Sequence, residues 1–104
     1  MAFKIDYENK DELIIYPKGE LDVFTTPELK KEVLKIYNKD KKDIVIDGTG
    51  LEYVDSTGLG ALMFILNEVK LENHTVSIQN MKPSINKLFT ITKLDQVFKI
   101  RGEV

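Results

Sequence analysis

Asp55-Ser56-Thr57-Gly58-Leu59-Gly60 puts a carboxylate, two hydroxyls and two glycines at the mouth of the chain's most apolar helical pattern. Unpaired amides and a partial positive charge make a helix N-terminus a favourable seat for an anion such as phosphate. Two glycines in a first turn each cost about 1 kcal/mol against alanine. An approachable backbone is the reading favoured for Gly58 and Gly60, with close packing on a sheet as the other. Ser56 reads as an N-cap whose hydroxyl accepts an amide hydrogen bond, a role compatible with being a phosphate acceptor. Thr57 is the rival acceptor, and residue type and position do not separate the two. Asp55 would favour the helix dipole. Asp22, further upstream, reads either as a turn residue or as a group that positions the acceptor.

These residues need elements to hold them. Phe3, Ile5 and Tyr7 alternate with polar residues as in a half-buried strand, and a second strand runs over residues 12–18. The polar link 8–11 makes the pair an antiparallel hairpin. Gly19-Glu20-Leu21-Asp22 then leads off the sheet, and Thr25 or Thr26 caps a helix with Pro27 at its start. Leu29, Val33, Ile36 and Tyr37 mark the buried face of that helix. Asp43-Ile44-Val45-Ile46-Asp47 is a central strand, followed by a loop and a helix from Ser56. The stripe of that helix is Leu59, Leu62, Met63, Leu66 and Val69, with Asn73-His74 at its end. Phe64 and Ile65 lie off the stripe and pack under a neighbouring helix. A strand over 75–79, a helix from Pro83 with Ile85, Leu88, Phe89 and Ile91 inward, and a last strand over 97–100 complete the pattern. The alternation predicts an α/β domain with a mostly parallel sheet. Its carboxyl edge should gather Asp22, Ser56 and the Asn80-Met81-Lys82 turn. Val23, Phe24 and Thr25 should flank the same surface, with Phe24 assigned to the core.

Composition excludes several classes of function. The 104 residues make one domain, and a net charge of −2 carries no basic footprint for nucleic acid. The mixed run Lys39-Asp40-Lys41-Lys42-Asp43 reads as a solvated loop. The start of the chain lacks a signal peptide, and the longest apolar run, 59–66, is too short for a bilayer, so a cytoplasmic protein without membrane contact is expected. With no cysteine and one histidine, thiol chemistry and a transition-metal site are not expected. Ser56 and His74 would stand about 27 Å apart on one helix, too far for a hydrolase pair. Gly58-Leu59-Gly60 lacks the third glycine of a dinucleotide fingerprint, and no phosphate-binding loop occurs. Neither catalysis nor a cofactor is expected.

On Gly19-Glu20-Leu21-Asp22, on Asp55 to Gly60, on the spacing between these blocks and on the ending Ile91-Thr92-Lys93-Leu94-Asp95-Gln96-Val97-Phe98, the whole chain resembles bacterial anti-sigma factor antagonists of the STAS family. The resemblance implies one STAS-like domain over 1–104, with helices on a mixed, mostly parallel sheet of four to five strands. It implies phosphorylation of Ser56, in an environment of Asp22, Asp55, Thr57 and Gly58. The implied docking surface is Val23, Phe24, Thr25, Ser56, Thr57, Gly58, Leu59 and Gly60. The partner would be an anti-sigma factor with ATP-dependent serine kinase activity. The unphosphorylated chain, a monomer or weak dimer, would bind it and free a sigma factor in a stress or sporulation response. Phosphorylation would end binding, and a metal-dependent serine phosphatase would reverse it. Lys93 departs from the family, whose members often have glycine there as a helix cap. Two alternatives stand beside this reading. One is a STAS scaffold subunit of a larger signalling assembly. The other is a receiver-like domain phosphorylated on Asp47, although a hairpin here replaces the acid pair such a domain needs after its first strand for Mg²⁺.

Overall fold

A computed structural model describes residues 3–101. Strands β1 (Lys4–Asn9) and β2 (Leu13–Leu21) form the expected hairpin, with Lys4 opposite Lys18 and Asn9 opposite Leu13. Helix α1 (Thr26–Lys39), β3 (Ile44–Asp47), β4 (Leu51–Val54), α2 (Ser56–Lys70), β5 (Val76–Gln79), α3 (Pro83–Ile91), a 3-10 turn at Leu94–Gln96 and β6 (Lys99–Arg101) follow. The sheet runs β1-β2-β3-β5-β6, antiparallel at β1 and parallel elsewhere. All four residues of β3 are buried, as a continuous apolar run at the centre of a sheet requires.

The sixth strand is β4, which lies within the stretch that the sequence pattern marks as a loop between β3 and α2. It pairs in parallel with the far end of β2, Gly19 opposite Leu51 and Leu21 opposite Val54, while β3 pairs with Leu13 to Ile15. Gly19-Glu20-Leu21 therefore stays in the sheet instead of leaving it. Gly19 has φ 113° and the register shifts after it, a bulge that glycine admits at little cost.

Leu29, Val33, Ile36 and Tyr37 pack inward from α1 as expected. In α2 the buried face is broader than the stripe read from sequence: Ala61 and Ile65 join Leu59, Leu62, Leu66 and Val69, while Met63 is half-buried. Phe64 stays largely exposed, with the Lys30 ammonium 4.9 Å from its ring centroid. Helix α2 stops at Lys70, short of Asn73-His74, and His74 Nδ1 is 2.6 Å from the Tyr37 hydroxyl. In α3, Ile85 and Phe89 are buried and Leu88 half-buried, but Ile91 is 65% exposed. At about 100° per residue it lies some 200° round the helix from Phe89. Lys93 holds the left-handed conformation, φ 63°, that a glycine cap would adopt freely. At the far end of the sheet, the Arg101 guanidinium grips both Glu12 carboxylate oxygens.

Candidate functional site

Parallel strands deliver their carboxyl ends to one edge, and three aspartates there start the turns that follow. After β2, Asp22 Oδ1 accepts from the amides of Phe24 at 2.9 Å and Thr25 at 3.3 Å. The Thr25 hydroxyl donates to the Glu20 carbonyl at 2.8 Å and accepts from the Asp22 amide at 3.0 Å. Thr25 is the N-cap of α1 by position, yet its side chain caps no helix amide; it ties the turn to β2. Asp22 is thus a turn-forming residue by its contacts. The turn projects Val23, 58% exposed, and Phe24, 87% exposed, into solvent. Phe24 is not a core residue: it sits at the tip of a tight turn, where no element lies over it.

After β4, the N-cap of α2 is Asp55, not Ser56. Asp55 Oδ1 accepts from the Thr57 amide at 2.9 Å, the Gly58 amide at 3.1 Å and the Thr57 hydroxyl at 2.6 Å. The Thr57 hydroxyl, opposed by slight burial and aided by these amides, holds the Asp55 carboxyl below its usual range. Ser56 becomes the first helical residue, exposed, and its hydroxyl makes no hydrogen bond among the described residues.

The Asp22 and Asp55 turns lie side by side. The Asp55 amide donates to the Leu21 carbonyl at 3.3 Å, and a Cβ added to Gly58 would stand 2.7 Å from that same oxygen. Gly58 is therefore required by the close approach of α2 to β2. A Cβ on exposed Gly60 would meet nothing within 4 Å, so packing does not explain that glycine. Leu59, 6% exposed, packs into the core. Sequence reasoning passed over Tyr53, 48% exposed and opposite Glu20 on β2. Recognising β4 as a strand would have found it. Beside the turn, a shallow cavity of about 190 Å³ is lined by Phe3, Glu20, Asp22, Phe24 and Thr25.

The Asn80-Met81-Lys82 turn joins a different cluster. Asn80 and Gln79 each donate to Asp47 Oδ2 at 2.9 Å, Met81 lies against Gly48, and Lys82 reaches the Thr49 carbonyl and Glu52. It gathers around the end of β3, because β4 carries the chain onward from there before Ser56 is reached. Asp47 is 4% exposed, and its Oδ1 accepts from the Thr49 amide and hydroxyl. Burial opposes its ionisation, but the bonds from Thr49, Gln79 and Asn80 prevail and hold its carboxyl below the usual range. With both oxygens engaged and the residue enclosed, it is poorly placed to accept phosphate as a receiver aspartate would. No group of three or more acidic, histidine or cysteine side chains fit for a metal occurs among the described residues, and none of their helices is long and apolar enough to cross a membrane.

The family model of the STAS domain matches residues 4–104. This chain belongs to the STAS domain family. An anti-sigma-B factor antagonist of Listeria monocytogenes is 30% identical over 104 residues, covering 98% of this STAS domain and 90% of the relative. Among solved structures, the unphosphorylated anti-sigma factor antagonist SpoIIAA shares the fold with a TM-score of 0.79 at 19% identity, over 98% of this chain and 90% of that one. The phosphorylated form of the same Bacillus protein gives 0.71 at 20% identity, over 98% and 93%. The STAS fold thus accounts for the mixed sheet and its three helices.

Proposed function

We propose that this STAS domain is an anti-sigma factor antagonist switched by phosphate on Ser56. Unphosphorylated, it binds an anti-sigma factor that is also an ATP-dependent serine kinase, and a sigma factor is released. Phosphorylation of Ser56 breaks that complex, and a metal-dependent serine phosphatase restores it. The chain catalyses nothing itself. Val23, Phe24, Ser56, Thr57 and the bare backbone at Gly60 meet the partner. Asp22, Thr25, Asp55, Gly58 and Leu59 hold that surface in shape from beneath.

The observation that carries this reading is the stance of Ser56: exposed, unbonded, first in its helix, and next to a turn that lifts Phe24 into solvent. The antagonist role is supported by the Listeria monocytogenes relative, an anti-sigma-B factor antagonist. Ser56 is exposed at the positive end of the α2 dipole, so a phosphate on it extends into solvent and needs no refolding, while Asp55 keeps the Thr57 and Gly58 amides. Its effect falls on docking. One new repulsive pair about 6 Å apart costs about 3 kcal/mol at an effective dielectric near 20, or about a hundredfold in affinity.

The test is to incubate the purified chain with ATP and candidate anti-sigma kinases, map phosphate by mass spectrometry, and titrate both forms by calorimetry. Label on Ser56 with an affinity loss near a hundredfold is expected. Label elsewhere, or equal affinities, refutes the reading.

A further inference from the structure

We infer that Asp55 decides which of two adjacent hydroxyls accepts phosphate, by closing Thr57 into a hydrogen-bonded turn and leaving Ser56 outside it. The inference rests on the proposed phosphorylation and goes beyond it to the choice of acceptor. Exposure does not make that choice, since Ser56 and Thr57 are both exposed. Bonding does. The Thr57 hydroxyl donates to Asp55 Oδ1 at 2.6 Å, while the same oxygen takes the Thr57 amide. Side chain and backbone of Thr57 are thus gripped by one atom, and its rotamer is fixed.

A second turn of the same build shows that this is a property of the pattern. In Asp47-Gly48-Thr49, Asp47 Oδ1 accepts from the Thr49 amide at 2.9 Å and the Thr49 hydroxyl at 2.6 Å. The middle residue again lies outside the clamp. There it is glycine, and a Cβ would stand 2.2 Å from Met81 Sδ and force that side chain to shift. At residues 55–57 the middle position opens to solvent, and a serine occupies it.

Phosphoryl transfer needs a hydroxyl that can turn its oxygen toward the nucleoside triphosphate and surrender its proton. The Oγ–P bond forms as the bond from the γ-phosphorus to the bridging oxygen breaks; the proton leaves to a base of the kinase and nucleoside diphosphate departs. Ser56 Oγ is free to rotate into that line. Thr57 would first have to release a charge-assisted hydrogen bond.

The experiment maps phosphate after incubation with ATP and the anti-sigma kinase. Ser56→Ala stays unlabelled at Thr57, and still does so when Thr57→Ser is added to remove any preference of the kinase for serine. Adding Asp55→Ala raises label at residue 57 about tenfold or more, as loss of a bond to a charged group implies. Asp55→Asn keeps a carbonyl oxygen in the accepting position and holds that label down. Circular dichroism melts establish that each variant is folded. Label on Thr57 with Asp55 in place, or no gain in folded Asp55→Ala, overturns the inference while label on Ser56 of the unaltered chain leaves the proposed function standing. Absence of label at both positions of the unaltered chain overturns the two together.

Discussion

Asp47-Gly48-Thr49-Gly50 and Asp55-Ser56-Thr57-Gly58 are the same four-residue pattern used twice. In each, one carboxylate oxygen takes the amide and hydroxyl of the threonine two residues on, at matching distances. Their surroundings differ. The first is buried at Asp47 and Gly48, with Thr49 exposed: Gln79 and Asn80 occupy the second oxygen of Asp47, and Met81 fills the space over Gly48. The second stands at the rim, with Asp55 starting a helix and Ser56 in the open. Identical local chemistry thus serves as a rivet in one place and as a presented surface in the other. Burial, more than sequence motif, sets the role.

The largest effect should separate the two aspartates. Asp47→Ala strands the side-chain amides of Gln79 and Asn80 and should cost about 3 kcal/mol or more. Asp55→Ala removes an N-cap and should cost about 1 kcal/mol. Urea denaturation of both variants measures the order, and a reversal would break the comparison.

Exchanging the middle residues comes next. Ser56→Asp should lower partner affinity about a hundredfold with little change in melting temperature, read by calorimetry and thermal melts. Gly48→Ser should do the opposite, losing about 1–3 kcal/mol of stability to overpacking against Met81 while the folded fraction binds normally.

The glycines of α2 sharpen the same point more gently. Gly58→Ala forces a Cβ against the Leu21 carbonyl and should destabilise by about 1 kcal/mol or more. Gly60→Ala meets open space and should stabilise the helix by up to about 1 kcal/mol, yet weaken docking. A Gly60→Ala variant that gains stability and keeps full affinity would remove Gly60 from the partner surface.

Acid gives the smallest effect. The folded Asp47 carboxyl titrates below its ordinary 3.8, so its contribution is complete above that value and is lost as pH falls through the lower folded one. Urea midpoints of Asp47→Asn should therefore fall less steeply than those of the unaltered chain below about pH 4.

Hydrophobic periodicity made the hairpin, the three helices and the central strand legible, because each buries a face long enough to leave a pattern. Strand β4 left none. Its four residues run buried, exposed, exposed, buried between two turns, so neither alternation nor a continuous apolar run marks it. Missing β4 misplaced the Asn80-Met81-Lys82 turn and hid Tyr53. Phe24 misled in another way: an apolar side chain suggests a core, but the Asp22 turn, which only the folded backbone discloses, aims it outward. Ser56 and Asp55 were legible as a helix start, although the cap belongs to the aspartate. Lys93 was legible as standing where a glycine cap is favoured, and its positive φ bears that out.

β2 is long enough to carry β3 and then β4 end to end along one side. Whereas β3 is flanked by β5 as well, β4 has β2 as its sole strand neighbour among the described residues. The segment leading to Ser56 is in effect an outrigger, braced from one side and cantilevered past the main deck. Charge added at its tip acts first on these four residues, held laterally by β2 and from beneath by the buried side chains of Leu51 and Val54.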